Sequence, residues 1–175
     1  MTFDIDDIAY MENEGIFEGV ILHEMGHVIG VGTIWGDCST CRTDGSSDWK
    51  CPAVVEVYND LLGNPGGIES SVIETDGGGG TACGHFDETI FGDELMTGYV
   101  ATVMPLSKIT AASLDDTDYI VDSSTVDDYI LPAFRSSASD ESGLYLSDKA
   151  VTTKIGLIDD DGEEVGEIDG ILMEF

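Results

Sequence analysis

The segment ILHEMGHVIG, residues 21–30, sets two histidines four positions apart in an apolar run, with a glutamate directly after the first. From Ile16 to Val31 the apolar positions Phe17, Val20, Ile21, Met25, Val28 and Ile29 recur at helical spacing, and Gly30 and Gly32 supply the stop. On a helix, residues four apart lie about 40° round the axis from one another. His23 and His27 can therefore grip one metal ion from a single face. Glu24 sits about 100° round from His23, beside such an ion and not on it, where a base acting on water has to stand. Taken singly, histidines are more often hydrogen-bonded core residues than ligands. Here the apolar flanks would bury the helix, and two unpaired imidazoles with a carboxylate would be costly there. Gly26 costs about 1 kcal/mol relative to alanine in mid-helix, and close approach of a neighbouring segment would explain it.

A catalytic zinc takes three protein ligands and keeps one position open. The chain holds three histidines, and the third, His85, lies in a glycine-rich stretch free to fold back. Cys83, two residues away, is a rival third ligand. His85 is favoured, because a thiolate would add negative charge to zinc and weaken its acidity.

Charge narrows the partners. The 175 residues carry 36 Asp plus Glu against 6 Lys plus Arg, a net charge of −30. Such a surface repels phosphate backbones and anionic membranes, so nucleic acid is set aside. The acids are spread along the chain, which fits either a high-salt or a calcium-rich extracellular setting. With 42% hydrophobic residues the chain can bury a modest single core. No apolar run reaches the eighteen or so residues of a membrane span, and MTFDIDDIAYMENEG has neither a basic nor an apolar leader region.

Cys38, Cys41, Cys51 and Cys83 suggest two disulfides with three possible pairings. The alternative is a second, structural zinc, for which Cys38 and Cys41 have ligand spacing while Cys51 and Cys83 form no second pair. Further along, a short helix is expected over DIDDIAYME and a loop from Asp37 to Asp48. PAVVEVYNDLLG reads as a helix opened by Pro52 and closed by Gly63, SSVIET as a lone strand, and SKITAASLDDTDY as a helix capped by Ser107 or Thr110. FRSSASDESG is linker-like, and KIGLIDDDGEEVGEIDGILMEF alternates about an acidic turn like a β-hairpin. Calcium has no clear motif: an EF-hand frame on DDDGEEVGEID would start at Leu157 and end at Ile168, where carboxylates are needed.

HEMGHVIGVGTIW, then GHFDETIFGDELMTGY, then MPLSKITAASLDD resemble the leishmanolysin-like branch of the metzincin metallopeptidases. The compact pattern H-E-x-x-H-x-x-G-x-x-H is met by His23, Glu24, His27 and Gly30, but Thr33 stands where its last histidine should be. In this branch the third histidine arrives after a long insertion, as His85 does. The resemblance covers roughly residues 3 to 132. It implies that His23, His27 and His85 hold one Zn2+, that Glu24 is the general base, that Met96 forms the Met-turn floor, and that Gly30 turns the chain away. It implies an α+β fold: a metzincin-like zinc peptidase core with an active-site helix, a mostly helical C-terminal part and a truncated N-terminal sheet, since 22 residues before His23 are too few for several strands and a helix. The expected division is a catalytic core over 1–132 and an acidic tail over 133–175. The short start implies weak activity for this chain alone and an uncovered apolar face on its first helix.

The expected function is a zinc endopeptidase acting on peptide or protein substrates, extracellular or at the cell surface in its full-length form. The competing functions are a zinc-binding but inactive module and a halophilic acidic binding protein with no metal.

Overall fold

In a computed structural model the described residues are 5–42, 45–134, 150–151, 154–158, 164–169 and 173–174. The expected linker-like stretch falls almost entirely outside them. The chain is α+β, with helices and small antiparallel sheets. Helix α1 spans Ile5–Glu14 and α2 spans Phe17–Ile29, joined at Gly15 (φ 72°). Helix α2 ends where Gly30 takes φ 124° and its N–H bonds back to the Gly26 and His27 carbonyls. Few residues other than glycine accept that conformation.

Strands β1 (Ser39–Cys41) and β2 (Ser47–Trp49) form an antiparallel ribbon in the stretch expected to be loop. Alternating hydrophobicity does not specify it. Two cross-links and a buried indole do: Cys38 joins Cys51, Cys41 joins Cys83, and Trp49 is buried. All four cysteines are thereby disulfide-bonded, so the thiolate zinc site and Cys83 as a ligand both fall away. Helix α3 (Pro52–Leu61) begins with proline at its first turn, as expected. Helix α4 (Glu88–Phe91) is one turn, capped by Asp87. Helix α5 (Lys108–Asp115) is capped by Ser107, whose side chain accepts from the Ile109 N–H. It stops short of the Asp118 and Tyr119 included in the expected helix. Asp116, just past its end, accepts from Ala53 N, Val54 N and Trp49 Nε1, tying α5 to the start of α3 and to β2.

Among the described residues no strand precedes α2, on the side where only a truncated sheet was expected. Nor are the described residues after His85 mostly helical. Helices α4 and α5 are short, and β3 (Ala150–Val151) pairs with β6 (Met173–Glu174) while β4 (Lys154–Ile158) pairs with β5 (Glu164–Asp169). The acidic turn, residues 159–163, lies outside the described residues.

The core runs from Val31 through Trp35, Trp49, Phe86 and Phe91 to Ile109. Trp35 and Trp49 meet edge to face with centroids 5.0 Å apart, and Phe86 and Phe91 are tilted against each other at 5.6 Å. A smaller cluster of Met11, Ile16 and Val20 joins α1 to α2. An uncovered apolar face lies on α2, where Leu22, Met25, Val28 and Ile29 are all exposed, and Tyr10 is exposed on α1.

Candidate metal centre

Three segments converge behind α2. Ile73 bridges Phe86 in antiparallel sense and Phe86 bridges Thr97 in parallel sense, a ladder one residue deep. Its bonds include Glu74 N to His85 O (2.9 Å), Asp87 N to Val72 O (2.9 Å) and Phe86 N to Met96 O (3.0 Å). The ladder fixes the backbone on both sides of His85. The Cys41–Cys83 disulfide anchors the same segment two residues earlier. At Gly32, φ 76°, a Cβ would collide with the Gly84 carbonyl, so glycine lets the His85 segment lie against the turn after α2.

The result is a tight triangle of imidazoles. His27 Nε2 lies 3.0 Å from His23 Nε2 and 3.1 Å from His85 Nε2, and the His85–His23 separation is 3.3 Å. Each Nδ1 faces a backbone carbonyl: His23 toward Leu95 (2.6 Å), His27 toward Val31 (2.8 Å), His85 toward Thr81 (2.8 Å). A carbonyl only accepts, so each Nδ1 donates. In the neutral ring each Nε2 is then a bare lone pair. Three lone pairs aimed at one point have no proton to share. Burial lowers all three histidines: His23 well below its ordinary value and His85 to about 4, with the neighbouring imidazoles pushing both the same way. At neutral pH the triangle is therefore uncharged and able to bind a cation.

The spacing fits a divalent ion. Tetrahedral ligands about 2.05 Å from zinc are about 3.3 Å apart, close to the three edges here. Among the described residues this is the group of His, Cys, Asp and Glu side chains whose ligand atoms come close enough to hold a metal. The donor set is three imidazoles, which suits zinc and several other first-row metals alike.

Glu24 is also buried, and burial raises its carboxyl to about 7. Met96 is wholly buried, and its Sδ and Cε occupy the space a Cβ on Gly26 would need. The close neighbour inferred for that mid-helix glycine is thus Met96. Thr33, in place of the compact pattern's histidine, donates its hydroxyl to the His27 carbonyl (2.9 Å) and helps close the helix end.

Sequence reasoning did not single out Glu94. It is fully buried, and its carboxylate is bonded from both sides, to Met96 N (2.7 Å) and to the hydroxyls of Ser107 and Thr110 (2.7 Å each). The signal available was an acid set beside apolar residues in DELM, thirteen residues ahead of a helix-capping serine. The carbonyl acceptors of Leu95, Val31 and Thr81 leave no such trace, because any residue supplies one.

The fold and the side-chain geometry thus define a buried three-histidine centre that can hold one metal ion. Compared with known proteins, the chain matches no family model, no curated protein and no solved structure.

Proposed function

We propose that the chain is a zinc-dependent endopeptidase, or the catalytic core of one, of the leishmanolysin-like metzincin kind. The observation that carries this is the triangle of Nε2 atoms 3.0–3.3 Å apart, each ring held by a carbonyl at its other nitrogen. Carbonyl partners of that sort fix the tautomer that metal binding requires. The leishmanolysin-like order of segments adds the assignment of Glu24 as base and Met96 as floor.

A Zn2+ held by His23, His27 and His85 would supply Lewis acidity, lowering the pKa of a water and polarising the scissile carbonyl. Glu24 follows His23 on α2 without belonging to the triangle. With its carboxyl near 7 in the metal-free site, it can take a proton from water and give it to the departing amine. No positive side chain is needed for either transfer. The acidic surface favours basic or extended peptides by long-range steering. Two disulfides fit an oxidising, extracellular setting, and among the described residues no helix is long and apolar enough to cross a membrane.

The test is metal content together with cleavage of a fluorogenic peptide, with and without chelator. The wild-type chain should bind one zinc and cleave the peptide until chelated. Glu24→Gln should keep the zinc and lose turnover by about 100- to 10,000-fold, the range that a positioned general base typically contributes. His85→Ala should lose both. Full activity in Glu24→Gln would sink the assignment. Bound zinc without cleavage in the wild type would favour a zinc-binding interaction module, a reading to which the uncovered apolar face of α2 lends itself.

A further inference from the structure

The turn Glu94–Thr97 touches both ligand-bearing segments, α2 with His23 and His27 and the stretch that carries His85. Its Leu95 carbonyl accepts from His23 Nδ1 at 2.6 Å. Its Met96 carbonyl accepts from the N–H of Phe86, the residue after His85, at 3.0 Å. Its Met96 side chain fills the notch at Gly26, between His23 and His27. A shift of this turn would therefore rotate one ligand and displace another.

Glu94 fastens the turn. Its Oε2 accepts from Met96 N (2.7 Å), within the turn itself. Its Oε1 accepts from Ser107 N (3.1 Å) and Ser107 Oγ (2.7 Å) in the cap of α5 and from Thr110 Oγ1 (2.7 Å) in its first turn. Burial pushes this carboxyl up, and the four donors pull it back. A carboxylate is an expensive group to bury, and a packing role alone would be filled more cheaply by an apolar side chain. Two oxygens accepting at once from a turn and from a helix do what an apolar side chain does not: they set direction as well as distance.

We propose that Glu94 is a positioning residue for the three-histidine centre, locking the 94–97 turn onto α5 so that the Leu95 and Met96 carbonyls hold His23 and the His85 segment in ligating geometry. This rests on reading the triangle as a metal centre and is independent of peptidase activity.

The experiment titrates the metal-free full chain with Co2+, following affinity and the visible absorption of the bound ion, in wild type, Glu94→Gln, Thr110→Val and Val54→Ala. Val54 is buried in α3 and touches none of the turn's hydrogen bonds, so it reports general destabilisation. Glu94→Gln presents an amide to a pocket of donors. It should weaken Co2+ binding by about 10- to 100-fold, the usual loss when a residue supporting metal ligands is removed, and it should change the absorption of the bound ion. Thr110→Val removes one donor and should weaken binding several-fold, which keeps the test alive if Glu94→Gln does not fold. Val54→Ala should lower the melting temperature and leave affinity and spectrum unchanged. Wild-type affinity and spectrum in a folded Glu94→Gln would overturn the proposal. So would equal weakening by Val54→Ala, or no effect of Thr110→Val where Glu94→Gln does not fold. A wild-type chain that binds no Co2+ would instead overturn the metal centre itself.

Discussion

At Glu88 the fold keeps a carboxylate oxygen buried with no hydrogen-bond partner. Burial raises this group to about 7, with Asp93, Glu74 and Asp87 pushing the same way and a bond from Thr97 opposing. In the unfolded chain it ionises near 4.5. The folded state therefore binds more protons between pH 4.5 and 7, and stability falls as pH rises through that window. A shift of that size would correspond to about 3 kcal/mol at full burial. Glu88 is only partly buried, so solvent screening cuts this to about 1 kcal/mol. Glu88→Gln cannot ionise and is relieved of that cost. Melting curves should show it about 2–4 °C above wild type at pH 8, and level with wild type at pH 4.5. A gain equal at both pH values would show that charge is not the cause. His85 shows the opposite sign: its imidazole is held near 4, so the stability of its neutral form is present above about 6.5 and is lost as pH falls toward 4.

At the level of elements, α2 and the Met96 turn meet through a missing side chain. Gly26 costs about 1 kcal/mol in helix propensity, which alanine would recover. Its Cβ would collide with the buried Met96 thioether, and overpacking of that kind costs about 1–3 kcal/mol. The collision should win narrowly, so Gly26→Ala should lower stability by about 1 kcal/mol. In a Met96→Ala background the same change should be neutral or stabilising. Chemical denaturation of the four chains in a double-mutant cycle measures the coupling, and simple additivity would mean that the two residues do not meet. This contact marks how far the sequence could be read. Helices α2 and α3 were legible because apolar spacing, Pro52, Gly30 and Gly63 are local signals. Gly26 announced a close neighbour without naming it. The β1–β2 ribbon was hidden, because its strands are three residues long and are stabilised by disulfides and by Trp49, not by alternation. His85 reached the site as the one remaining histidine and by resemblance, since a separation of 58 residues from His27 carries no local signal. Glu94 stayed hidden because its purpose lies in donors from α5 that only the fold brings to it.

Across the whole molecule, the apolar core and two cross-links hold together a chain of net charge −30. With 36 acids to 6 bases, attraction cannot balance repulsion, and Arg42–Asp48, an exposed pair at 2.8 Å, is the ion pair found among the described residues. A pair so exposed contributes roughly 0–1 kcal/mol. Repulsion among the acids acts over tens of ångströms in dilute buffer, where the screening length is about 30 Å at 0.01 M, and over about 3 Å at 1 M. The folded state packs those charges closer than the unfolded chain does, so screening relieves it more. The melting temperature should therefore rise steadily with NaCl from 10 mM to 1 M, by about 2–4 °C for each kcal/mol recovered. The measurement belongs on the metal-free chain, since a bound cation would neutralise part of the same field and flatten the response. Sodium chloride is the right salt because sulfate would also strengthen apolar burial and blur the cause. A melting temperature that fell with salt would mean that favourable pairs, not self-repulsion, dominate the surface. A rise in NaCl that matches the rise in an equimolar neutral osmolyte would mean that charge screening is not at work.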